Sequence, residues 1–144
     1  MRKSRDETAE TRKRIVRTAA RAFREKGIVA TGLADLMKAA GLTRGGFYKH
    51  FASKDQLVAE ATVAAMDSIL EAMAAQPTVN AAVAAYLSIR HRDDPASGCP
   101  FAALGGELAR SDKTTRAAAT AGFVRLVDIL TGQARTTEDR KSVV

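Results

Sequence analysis

The amino-acid sequence predicts an all-α fold of about seven helices, and three observations carry that prediction. Hydrophobic residues make up 46% of the chain, yet alanine is their largest share, aromatics are only 5% and Trp is absent, which favours closely packed helices over a sheet sandwich. In segment after segment, apolar residues recur at i, i+3, i+4 and i+7, the period of a helix with one buried face. Residues that start and stop helices stand at the ends of those segments.

The first helix is predicted over Glu7–Lys26. Ser4 and Glu7 have capping-box spacing, Ile15, Val16, Ala19, Ala20 and Phe23 share one face, and Gly27 stops it. Arg12, Lys13, Arg14, Arg17, Arg21 and Arg24 fill much of the remaining surface as a basic flank able to face phosphate. A second helix starts near Thr31 or Gly32 and runs to Ala40, with Leu33, Leu36 and Met37 inward and Gly41 free to turn left-handed. A third spans Thr43 to His50 or Phe51. It is too short to stand alone, so Leu42, Phe47 and Phe51 must hold it against Phe23 and the first helix.

Ser53 and Gln56 form a second capping box for a long fourth helix, Lys54 to about Ala75, with the stripe Leu57, Val58, Ala61, Ala65, Ile69 and Met73. After Pro77, Thr78 caps a fifth helix whose face is Val79, Ala82, Val83, Tyr86 and Leu87. RHRDDPASG, residues 90–98, has the composition of a surface loop. Pro100 fits the first turn of a sixth helix that ends at Ala109, with Phe101, Leu104 and Leu108 inward. Gly105-Gly106 costs that helix about 1 kcal/mol per glycine, which predicts a bend or a close helix contact there. Asp112 caps a seventh helix carrying Ala119, Phe123, Leu126, Val127 and Leu130, which should fade by Ala134 into a polar, disordered tail.

Charge divides the chain unevenly. Residues 1–60 carry fourteen Lys or Arg against seven Asp or Glu, and residues 61–144 carry nine of each, so the whole excess of +7 lies in the first part. A basic module before a neutral one is the arrangement of a nucleic-acid reader with a separate regulatory body. The single cysteine, Cys99, excludes an internal disulfide, and no metal-ligand cluster surrounds it. The start lacks a signal-peptide apolar region and no apolar run approaches a membrane span, so a cytoplasmic protein without membrane contact is expected. An enzyme is not: His50 and His91 have no Ser, Cys or acid beside them at a recognisable catalytic spacing. No cofactor is implied.

The chemistry concentrates in Gly32–Lys54, two short helices across a turn at Gly41, which is a helix-turn-helix. The face of its second helix not needed for packing offers Thr43, Arg44, Gly45, Gly46, Tyr48, Lys49 and His50. Arg and Lys can bond to guanine in the major groove, Thr can meet a base or the thymine methyl, and Tyr48 and His50 are single donors suited to phosphate oxygens. Gly45 and Gly46 let the backbone approach the groove wall. Lys54 adds a charge at a helix N-terminus, a usual phosphate site.

TGLADLMKAAGLTRGGFYKHFASKDQL resembles the DNA-binding domain of the TetR/AcrR family of bacterial transcriptional regulators, over about residues 10–60 and most specifically in GGFYKHFASKDQL. The resemblance implies that Arg44, Gly45, Gly46 and Lys49 meet base edges. It also implies that Tyr48, His50, Lys54 and Thr31 meet phosphates. Met37 departs from the small residue usual at its position. The family pattern further implies a domain division into 1–53 and 54–144, a small-molecule effector in the second domain, and a homodimeric repressor on a palindromic double-stranded operator. By the same pattern the two C-terminal dimer helices are missing here. Met66, Met73, Tyr86, Cys99, Phe101 and Phe123 are the candidate pocket residues. Two alternatives stand beside this reading: a truncated DNA-binding remnant, and a redox or electrophile sensor using Cys99 at its helix N-terminus.

Overall fold

The computed structural model describes residues 4–142. Helix α1, Arg5–Lys26, opens on the predicted capping box: the Ser4 hydroxyl accepts the Glu7 amide, and the Glu7 carboxylate accepts the Ser4 amide. Gly27 ends it at φ +94°. After α2, Leu33–Ala39, Gly41 turns the chain at φ +73°, a backbone conformation glycine takes at little cost. The third predicted helix is a 3-10 segment, Arg44–Lys49, rather than an α-helix. Gly45 and Gly46 supply little α propensity over so short a stretch, and the tighter i→i+3 ladder is the common form of such short pieces. Phe47 and Phe51 pin it, both fully or almost fully buried, with their rings stacked 5.5 Å apart.

Helix α3, Lys54–Ala74, opens on Ser53, whose hydroxyl accepts the Gln56 amide while the Gln56 carboxamide reaches back to the Ala52 amide. Every residue of its predicted stripe is buried. Helix α4, Val79–Tyr86, is capped by Thr78 as predicted, but of its expected face only Ala82 is buried, while Val83 and Leu87 are exposed.

The predicted loop 90–98 is structured instead. It holds most of α5, Ile89–Asp93, and a 3-10 turn, Pro95–Ser97. The reason lies far away in sequence. Arg24 Nη1 donates to the Gly98 carbonyl and Arg21 Nη1 to the Ser97 hydroxyl, each at 2.8 Å, so α1 supplies the donors that fix the turn.

Helix α6, Pro100–Ala109, opens on Cys99 with Pro100 in its first turn. Helix α7, Lys113–Ser142, is capped by Asp112, whose carboxylate accepts the Thr115 amide at 2.8 Å. It does not fade at Ala134. Gln133 donates to the carbonyls of Met73 and Gln76 at 2.8 and 3.1 Å, tying this part of α7 to the end of α3. Of the tail predicted to be disordered, Val143 and Val144 lie outside the described residues.

The close contact expected at Gly105-Gly106 is elsewhere. A Cβ on Gly105 would meet nothing within 4 Å, whereas one on Gly122 would lie 2.6 Å from Met66 Cγ. The crossing of α7 over α3 therefore depends on Gly122. Two clusters of buried residues result. Around the first half of α3, Leu57, Val58 and Ala61 pack with Ile15, Phe23, Leu36, Met37, Phe47 and Phe51, and Leu104 and Leu108 of α6 complete the set. Around its second half, Met66, Ile69, Leu70 and Met73 pack with Ala82 and Cys99. Among the described residues no helix is long and apolar enough to cross a membrane.

Candidate nucleic-acid interface

The 3-10 segment turns its residues two ways. Phe47 is at 0% exposure, while its neighbour Tyr48 is at 69%, with the two rings edge to face at 5.1 Å. Thr43, Arg44, Gly45 and Lys49 are exposed with Tyr48, and Gly46 and His50 are half-buried behind them. The predicted donor set thus shares one surface, except for two residues turned to other work. Thr31 is buried, and its hydroxyl donates to the Gly27 carbonyl at 2.6 Å, so its proton is committed to bracing the turn. Lys54 is half-buried, and its Nζ donates to the Ile28 carbonyl at 2.8 Å.

Three groups hold this surface to the body, and the sequence disclosed none of them in that role. Arg12, read as part of a basic flank, donates through both guanidinium ends to the Glu60 carboxylate of α3 and through Nε to the His50 carbonyl at 3.3 Å. Its guanidinium also lies 4.4 Å from the centre of the Phe51 ring. The hydrogen bond it donates to Glu60 raises the Arg12 pKa above its ordinary value, although burial opposes it. Arg24 is buried beneath the 95–97 turn, and burial, seconded by Arg21, lowers its pKa. Lys13, Arg14 and Arg17 remain exposed members of the flank, as does Arg21 beside its bond to Ser97. The third group is Glu107 of α6, whose two carboxylate oxygens accept the amides of Ile28 and Val29 at 2.9 and 3.0 Å. The peptide units around Ile28 are therefore gripped by Glu107 on the N–H side and by Lys54 on the C=O side. No local pattern marks an acid near a helix C-terminus as the partner of a turn 79 residues away.

A second candidate site lies between α3, α4, α6 and α7. It is a cavity of about 430 Å³ with Met73, Tyr86, Cys99, Phe101 and Phe123 in its wall, five of the six predicted residues, joined by Ile69, Val83, Leu87, Leu126 and Leu130. Met66 is the exception, because it is buried against Gly122 in the α3–α7 crossing. The wall is apolar apart from the Tyr86 hydroxyl and the Cys99 thiol. Burial and then the neighbouring Cys99 raise the Tyr86 pKa above its ordinary value, so the phenol is neutral at neutral pH. His91 stacks at 4.5 Å on the Tyr86 ring, and its Nε2 accepts the Cys99 backbone amide at 3.0 Å, fixing the start of α6. Among the described residues no group of His, Cys, Asp and Glu could hold a metal ion.

Two short helical pieces across a glycine turn, with an aromatic anchor beneath and donors above, define a helix-turn-helix protein. The profile described as bacterial regulatory proteins, tetR family, matches residues 15–61. The HTH-type transcriptional regulator TtgR of Pseudomonas putida is 45% identical over 58 residues, which are 40% of this chain and 28% of TtgR. An uncharacterised HTH-type transcriptional regulator of Mycobacterium tuberculosis is 35% identical over 103 residues, 67% of this chain and 52% of that protein. The chain thus spans less than two thirds of either relative. The crystal structure of Escherichia coli NemR in its reduced form superposes with a TM-score of 0.76 at 18% identity, covering 91% of this chain and 72% of NemR, a likeness of fold. Residues 15–61, the helix-turn-helix part of the chain, thus match the TetR family of bacterial regulatory proteins.

Proposed function

We propose that this protein is a sequence-specific DNA-binding transcriptional regulator, a homodimeric repressor whose hold on a palindromic operator is released by a small molecule in the cavity beside α4. The single observation that carries the reading is the two-sided 3-10 segment: Phe47 and Phe51 are locked into the core, so that Thr43, Arg44, Gly45, Tyr48 and Lys49 are presented together on a rigid support. Arg44 and Lys49 read base edges, and Tyr48 and the first turn of α3 at Lys54 hold phosphates. His50 supports the same surface from its half-buried position.

The effector reading rests on the cavity, whose wall carries no charged side chain and so fits a neutral, largely apolar molecule. Phe101 belongs both to that wall and to α6, and Cys99, also in the wall, caps the helix whose other end carries Glu107. A molecule that displaces Phe101 moves the helix that holds Ile28 and Val29, which gives the ligand different contacts in the two states, as a shift of population requires. An electrophile-sensing role for Cys99 has less support, because the contact His91 makes is with the Cys99 backbone amide.

Selection of bound sequences from random duplex DNA tests the central reading, with an enriched palindrome expected. Absence of any enrichment, or an operator affinity and sequence preference untouched by Arg44→Ala and Lys49→Ala, rejects it.

A further inference from the structure

Tyr86 belongs to the wall of the apolar cavity, and His91, stacked on it, belongs to the wall of another. This second space is a cleft of about 420 Å³, close to the first in size and unlike it in chemistry. Ile69 and Met73 of α3 line both, so the two adjoin there. Ala72 and Ala85 extend the apolar floor of the cleft, while Arg90, His91 and Asp94 form its polar side. Every residue of its wall lies between Ile69 and Gly98, and α7 contributes none.

The donors in this cleft are set by the backbone. His91 Nε2 accepts the Cys99 amide at 3.0 Å, so the imidazole is neutral and carries its proton on Nδ1. Glycine at position 98 permits that contact, since a Cβ there would come within 2.9 Å of Nε2. Among the described residues, neither His91 Nδ1–H nor the exposed Arg90 guanidinium has a partner. The neighbouring acids are engaged elsewhere. Asp93 pairs with Arg92 at 2.6 Å, and Asp94 lies near the buried Arg24, where it offsets part of the lowering that burial imposes on the Arg24 pKa. Arg90 therefore keeps its charge for a guest.

We infer that this cleft is a second ligand site, which takes an organic carboxylate with an apolar body. The head lies on Arg90 and His91 Nδ1–H, and the chain lies on the floor of Ile69, Ala72 and Met73. Two donors and one positive charge suit an acceptor with two oxygens and one negative charge, and an ionised acceptor makes such bonds about twice as strong as a neutral one. A phosphate dianion would bring a second charge towards Asp94 and offer nothing to the apolar floor. The apolar cavity next to the cleft has no charged side chain and would desolvate a carboxylate without return, so the two sites select different molecules. The carboxylate shares His91 with the first turn of α6, which under the proposed function gives the cleft its own access to the helix that carries Glu107. Occupancy of the site does not depend on that reading.

Octanoate and octanamide, titrated separately into the full chain without DNA, test the site. Octanoate should bind with a Kd of roughly 0.1–1 mM, and octanamide about tenfold more weakly. In nuclear magnetic resonance spectra the ring protons of His91 should shift with octanoate, while those of His50, the other histidine, stay in place. Arg90→Gln should weaken octanoate about tenfold and leave octanamide as it was, and Ala72→Glu, which sets a carboxylate at the floor, should weaken octanoate about as much. Both positions are exposed, so circular dichroism should not change. Val83→Trp crowds the apolar cavity from an exposed position and should leave octanoate binding unchanged. Equal affinities for acid and amide, octanoate binding untouched by Arg90→Gln and Ala72→Glu, or its loss in Val83→Trp would each overturn the site, as would no binding up to about 10 mM. With no DNA present, none of these outcomes bears on operator binding, and a chain that failed to bind any operator would leave the carboxylate site standing.

Discussion

The two halves of α3 lie in different surroundings. Around the first half, Phe47, Phe51, Leu36 and Met37 are sealed from solvent, and the basic side chains that enter arrive with partners: Arg12 on Glu60, Arg24 on Gly98, Lys54 on Ile28. Around the second half, Val83, Leu87 and Phe123 stand exposed beside a cavity of about 430 Å³. Close packing fixes one shape, and loose packing leaves room for a guest. A regulator under the proposed function needs both in one chain, with the rigid part reading DNA and the open part sensing an effector. The Glu107 grip on Ile28 and Val29 then gives the open part a handle on the rigid one.

The largest expected effect tests the sealed side. Phe47→Ala empties a fully buried site and should cost about 3–5 kcal/mol, enough to unfold the recognition region in a chemical denaturation experiment. Phe123→Ala, on a half-exposed ring, should cost about 1 kcal/mol, since only part of its apolar area leaves the core. Equal costs would erase the contrast between the two halves.

Glycine substitutions sharpen the contrast within the open half. Gly122→Ala drives a methyl into Met66 and should destabilise by about 1–3 kcal/mol, whereas in a Met66→Ala background the same change should cost much less. Gly105→Ala meets open space in mid-helix and should stabilise by about 0.5–1 kcal/mol. Thermal melts of the unmutated chain, the three single variants and the double variant decide the matter, and a neutral Gly122→Ala would show that α7 can slide on α3.

The junction is expected to be more modest in stability. Glu107→Gln keeps one acceptor but loses the charge and the second amide contact, which should cost about 1–2 kcal/mol. Its more telling readout is hydrogen exchange at Ile28 and Val29, which should speed up while Leu57 and Val58 stay protected. Faster exchange throughout α3 would mean that Glu107 only supports the fold.

Much of this was legible in the sequence because it is local. Caps at Ser4, Ser53, Thr78 and Asp112, the left-handed Gly41, Pro100 in a first turn and the buried stripe of α3 each depend on residues within a few positions of one another. The division of the recognition segment into Phe47 and Phe51 beneath and Tyr48 above followed from the same helical spacing. What was not legible is decided across long separations. The order in residues 90–98 comes from Arg21 and Arg24, the α7 crossing from a glycine meeting Met66, and the docking of the turn after α1 from Glu107. Arg12 shows the limit most clearly: its charge was readable, but its commitment to Glu60, His50 and Phe51 was not.

The smallest expected change in stability belongs to Tyr48, and it separates the two faces of the recognition segment. Its side chain is 69% exposed and touches the core only through the edge contact with Phe47. Tyr48→Ala should therefore alter unfolding by no more than about 0.5 kcal/mol. Operator affinity should nevertheless fall about tenfold, as for one lost phosphate donor that also orients its neighbours. Because a tyrosine carries no positive charge, the slope of log affinity against log salt should stay unchanged for Tyr48→Ala, whereas Lys49→Ala should flatten it by about one unit if it sits on a phosphate and leave it unchanged if it reads a base edge. A Tyr48→Ala protein that melts early and binds as before would place this ring in the packing of the segment, and the boundary between its two faces would have to move from Phe47 to Tyr48.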